Sequence, residues 1–224
     1  NSEGWGPGSQ GCLAVRLELG LAQDGVDTRL GVYDTFVSVQ QSPQGYLLQP
    51  SILEGPFIHR VTSDHPEWVV VSVVTSVPDG VVVHLSDGRK VAGIAQPSQD
   101  RGWHRYEIKI DGLQAATSYR YQVRVGPTRG DELTFRTAPV KGAAEVRFAF
   151  IGDSRAGISH ALTRYVGVNY DVMERLSALA LQARSHLILF GGDLCSGYTG
   201  IERDFRAQLR AWKQTVAGVG ASVP

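Results

Sequence analysis

The 224 residues carry 22 Lys+Arg against 22 Asp+Glu, so the formal net charge is zero and no general attraction to nucleic acid or an anionic membrane is expected. With 42% hydrophobic and 20% charged residues, the composition is that of a globular chain of one to two domains. No apolar run approaches the roughly 18 residues of a membrane helix, and the stretch from Asn1 to Trp5 lacks the charged and apolar regions of a signal peptide.

Residues 1–50 read as an unassigned β-rich segment. Leu13, Val15, Leu17 and Leu19 alternate with Ala14, Arg16 and Glu18, a strand pattern, and Val37 and Val39 continue the apolar theme. The segment is expected to be a remnant of an upstream module or extra strands on the next domain. Residues 51–139 are expected to form an all-β sandwich, because short apolar strands alternate with turn residues. Glu67 to Thr75 is a buried strand, Pro78 to Gly80 turns it into Val81 to Leu85, and Asp87-Gly88 turns again. Further strands are expected at Trp103 to Ile110, Thr117 to Val125 and Leu133 to Thr137. Gly112 and Leu113, followed by Thr117, Tyr119 and Tyr121, resemble the corner of a fibronectin type III-like domain, with Tyr119 as the corner tyrosine.

A linker through Ala144 leads to residues 145–224, the expected start of an α/β unit. Two apolar strands, Val146 to Ile151 and His186 to Phe190, each run into Gly-Asp, at Gly152-Asp153 and Gly192-Asp193. Between them Asn169 to Arg184 is an amphipathic helix with Asn169 as N-cap and Val172, Leu176, Leu179, Ala180 and Ala183 at helical spacing. A second helix is expected from Ile201 to Val216, with Phe205, Leu209, Trp212 and Val216 on one face. Strand-helix-strand crossovers make parallel pairs, so Asp153 and Asp193 should emerge on one sheet edge, where open α/β folds bind ligands. Two carboxylates there invite a hard cation or a divalent pair. Two strands and two helices leave apolar surface uncovered, so this unit is not expected to fold alone.

The two Gly-Asp motifs resemble the first two motifs of the calcineurin-like metallophosphoesterases, and the region before them resembles the β-sandwich that precedes the catalytic domain of purple acid phosphatases. The resemblance implies a fibronectin type III-like sandwich followed by the incomplete start of an α/β metallophosphoesterase domain. It implies two divalent metal ions, with Fe, Zn or Mn as candidates, Asp153 binding one and Asp193 bridging both. A phosphate mono- or diester would be the substrate, and an extracytoplasmic location is weakly favoured. Two ions about 3.5–4 Å apart supply a nucleophilic hydroxide and neutralise phosphoryl charge. The family's later Asn and His motifs are absent, so the chain is expected to be a fragment, inactive alone.

Two positions depart from the family pattern. Arg155 stands where many members have a metal-binding His and is expected to contact phosphate instead. Ser196 stands where purple acid phosphatases have a metal-binding Tyr, leaving Tyr198 as the nearest candidate ligand. Gly152-Asp153-Ser154 also resembles the GDSL-type (SGNH) esterases, which would make Ser154 a nucleophile, but Asp193 would place a negative charge beside the developing oxyanion. A third reading is a binding or adhesion sandwich, with Trp68 and Trp103 as stacking platforms and at least one of them expected in the core. Cys12 and Cys195 fall in different units and are not expected to pair. His59, His65, His84, His104 and His186 read as structural, and His160 is a lesser candidate for reaching substrate.

Overall fold

The computed structural model describes residues 8–23, 25–78, 80–96, 102–142, 145–155 and 167–224. The first three strands, β1 (Gln10–Gln23), β2 (Val26–Ser42) and β3 (Gly45–Leu48), form an antiparallel sheet of their own. This sheet is tied to the next unit where the Ser38 N–H donates to Ser51 Oγ at 2.9 Å.

Period-2 alternation then builds the centre of the molecule. One sheet has the order β4-β5-β9-β8, from β4 (Ile52–His59), β5 (Val69–Thr75), β8 (Ile94–Gln96) and β9 (His104–Ile110). The other has the order β11-β10-β6-β7, from β6 (Val81–Leu85), β7 (Lys90–Ala92), β10 (Ser118–Val125) and β11 (Thr128–Arg136). Every second residue points inward. Val69, Val71 and Val73 of β5 and Tyr106, Ile108 and Ile110 of β9 meet Val81, Val83, Tyr121, Val123 and Phe135 of the facing sheet in one core. Strand β11 starts at Thr128, ahead of the expected Leu133, because an edge strand can pair through its backbone without apolar alternation. The Tyr119 hydroxyl accepts from the Gln114 N–H at 2.8 Å, the bond expected of a corner tyrosine. Trp68 and Trp103 are both half-buried, neither in the core: Lys109 lies over the first at 4.8 Å and Arg210 over the second at 4.1 Å.

The last unit is the expected crossover. Strands β12 (Phe148–Ile151) and β13 (Leu187–Phe190) pair in parallel, with α1 (Tyr170–Gln182) between them. Asn169 Oδ1 accepts the Val172 N–H at 3.4 Å, so the N-cap is where the sequence places it. The buried face differs from expectation. Met173, Ser177 and Ala180 are buried, while Val172 and Leu179 are exposed, because the apolar width of α1 exceeds the surface that covers it. Helix α2 (Glu202–Gly220) likewise buries Gln208, Ala211, Thr215, Val216 and Val219, leaving Phe205 exposed.

Helix α2 runs beyond the expected Val216 because its last turns dock on the sandwich. A Cβ at Gly220 would come 2.6 Å from the Phe57 ring of β4, so only glycine permits the approach. Tyr121 donates its hydroxyl to the Ala221 carbonyl at 2.7 Å, and Lys213 Nζ lies 2.9 Å from the buried Glu54 Oε2. One face of the parallel pair, with Ile151, Ile188 and Phe190, packs against Met173, Trp212, Val216 and Phe57. The other, with Phe148, Phe150 and Leu189, is exposed. The Ile188 N–H donates to the Pro224 carbonyl at 2.9 Å, setting residue 224 beside β13.

Candidate functional site

Parallel pairing carries the ends of β12 and β13 to the same edge, and each turn there is built around glycine. Gly192 has φ +111°, a conformation that residues with a side chain rarely adopt, and a Cβ at Gly191 would sit 2.5 Å from the Phe150 ring and force that ring to shift. The aspartates that follow are both left-handed, with φ 57° at Asp153 and 50° at Asp193. Aspartate adopts this region more readily than most residues. The Asp153 N–H donates to the Gly192 carbonyl at 3.1 Å and joins the two turns.

Both carboxylates converge on one guanidinium. Arg155 Nε lies 3.2 Å from Asp153 Oδ1 and 3.4 Å from Asp193 Oδ2. Its Nη1 donates to the Tyr198 hydroxyl at 2.8 Å. The four residues singled out by motif and position therefore meet at one place on an open surface, with the Asp153 and Asp193 side chains 73% and 55% exposed. Exposed ion pairs of this kind contribute about 0–1 kcal/mol each. Arg155 can therefore move without undoing the turns, which are held by backbone bonds.

Ser154 faces the other way. It is 1% exposed, donates its hydroxyl to the Leu194 carbonyl at 3.0 Å, and accepts from Trp212 Nε1 at 3.2 Å. The hydroxyl thus fastens the segment after Asp193 to α2, with no open path to a substrate. Gln208 Oε1 accepts the Gly197 N–H at 2.8 Å and holds the same segment further along. Sequence reasoning missed both supports, since a serine beside a motif aspartate and a glutamine within a helix carry no positional signal.

Cys12 and Cys195 are unpaired. Burial beside Val168 and Ala211 pushes the Cys195 thiol up, away from the thiolate form that binds metal. His186 Nδ1 accepts the Arg147 N–H at 3.3 Å, a structural role, and His59 Nε2 lies 2.7 Å from Ser72 Oγ in the sandwich. His160 lies outside the described residues.

Among the described residues no group of three or more His, Cys, Asp or Glu could hold a metal. The donor set at the edge is two carboxylates and a phenol, all oxygen, gathered around a positive group. That chemistry suits one hard or borderline divalent cation. A second ion needs donors beyond these residues. Two cavities of about 560 and 570 Å³ lie elsewhere, the first between α2 and the β4-β5 face, the second between the sandwich and the start of β13, and neither touches the carboxylates. Their walls are largely apolar and hold no paired carboxylates, so the chemistry favours the open edge. No protein-family model matches this chain, and no curated protein matches it significantly.

Proposed function

We propose that the intact protein hydrolyses phosphate mono- or diesters with the help of divalent metal ions. In this reading the chain contributes a fibronectin type III-like sandwich and the first part of a calcineurin-like metallophosphoesterase domain. The observation that carries it is the meeting of Asp153 and Asp193, from equivalent left-handed turns on two parallel strands, at a single cationic centre. The Tyr119 corner and the paired four-stranded sheets support the sandwich assignment. Asp153 would hold one ion, Asp193 would contribute to both, and Tyr198 offers a further oxygen. Bound divalent ions supply charge neutralisation for phosphoryl oxygens and activate water at neutral pH. The buried, bonded state of Ser154 counts against the esterase reading.

The test is metal binding by this chain and turnover by the intact protein. Calorimetric titration with Mn²⁺ is expected to show a single ion bound by the 224 residues, with no turnover of p-nitrophenyl phosphate, because the described oxygens serve one ion. Turnover by the intact protein is expected to stop with EDTA and return with Mn²⁺ or Zn²⁺. EDTA-resistant turnover together with no ion binding would sink the proposal.

A further inference from the structure

We infer that Arg155 is the resident cation of the carboxylate pair, and that a divalent ion enters only by displacing its guanidinium, so an internal ion pair sets the threshold for metal loading. This rests on the metal reading above and adds a regulatory element to it. The guanidinium nitrogen lies 3.2 and 3.4 Å from one oxygen of each carboxylate and so stands between them.

The structure separates the part that stays from the part that moves. The backbone of Arg155 bridges Val168, and the neighbouring Ser154 is buried and hydrogen-bonded on three sides. The side chain is 39% exposed, and its hold on the aspartates consists of exposed pairs. The Tyr198 hydroxyl, 2.8 Å from Nη1, is the guanidinium's third partner at the rim. Rotation of the arginine side chain alone frees both aspartates and leaves a forked donor at the rim, a geometry that suits a phosphate oxygen pair. The same residue would then guard the empty site and greet the substrate in the loaded one.

The experiment is a Mn²⁺ titration of wild type, Arg155→Gln and Arg155→Lys by calorimetry and by loss of the free Mn²⁺ electron paramagnetic resonance signal, with circular dichroism to establish folding. Arg155→Gln is expected to bind Mn²⁺ roughly 2- to 30-fold more tightly than wild type, the range set by two exposed ion pairs. Arg155→Lys, which keeps the charge, is expected to stay near wild type. If the Gln variant does not fold, Arg155→Met takes its place. Equal or weaker binding by the neutral variant overturns the inference while leaving the metal reading intact, as does a Lys variant as tight as Gln. Failure of every variant and of wild type to bind Mn²⁺ removes the metal reading and the inference with it.

Discussion

On the proposed metal-dependent function, Asp193→Ala is expected to lower phosphate-ester turnover by the intact protein more than about 100-fold, with loss of bound metal. Outer partners of metal ligands already cost 10- to 100-fold in affinity or activity, and a carboxylate shared between ions costs at least that much. The comparison with Ser154 needs care. Ser154→Ala removes a hydroxyl that fastens the Leu194 carbonyl and the Trp212 indole, so it should loosen the Asp193 turn and lower activity as well. Loss of activity in that variant therefore does not identify a nucleophile. An organophosphorus serine reagent does: with Ser154 at 1% exposure, the protein should keep its activity and carry no label there. Stoichiometric labelling of Ser154 that tracks inactivation would move the chemistry to serine.

Tyr121→Ala is expected to reduce the unfolding free energy by about 3–5 kcal/mol, the range for emptying a buried aromatic site. The ring is 1% exposed and meets Phe135 edge-on at 5.5 Å. Tyr121→Phe keeps the ring but leaves the Ala221 carbonyl without its donor, at a cost of about 1–3 kcal/mol. Urea titration followed by tryptophan fluorescence measures both. Burial also pushes the Tyr121 phenol above its ordinary value of 10.0, so the folded state holds this proton more tightly than the unfolded state. Stability from this group is complete below about pH 10 and falls as pH rises above it, by up to about 1.4 kcal/mol per pH unit for one proton. The phenol of Tyr33, also raised by burial, acts in the same direction. Alkaline unfolding of Tyr121→Phe should accordingly be shallower than that of wild type. Equal slopes would show that Tyr121 ionises as freely folded as unfolded.

The strands of the sandwich were legible because an inward row of Val, Ile and Tyr leaves a period of 2, and β6 matches its expected Val81–Leu85 span. The two Gly-Asp ends were legible for a different reason: parallel topology follows from a single crossover helix, and topology alone carries the carboxylates to one edge. The buried faces of α1 and α2 were less so. Hydrophobic spacing finds the apolar side of a helix but not which part of it meets a neighbour, and here small or polar residues, Ser177, Ala180, Gln208 and Thr215, occupy the contact. The meeting of Arg155 with Tyr198 at the edge was out of reach, since the two are 43 residues apart and no local pattern links them. Their convergence is a property of two loops meeting.

The left-handed turns at Asp153 and Asp193, with φ 57° and 50°, set a local backbone cost on the two residues that carry charge at this edge. Any residue with a Cβ is less comfortable in this region than glycine, by about 1–2 kcal/mol in general and less for aspartate. Glycine at either position would relax the turn and remove an exposed carboxylate with little to lose in packing. Aspartate at both equivalent positions therefore sets an exposed negative charge at each strand end at a small backbone cost.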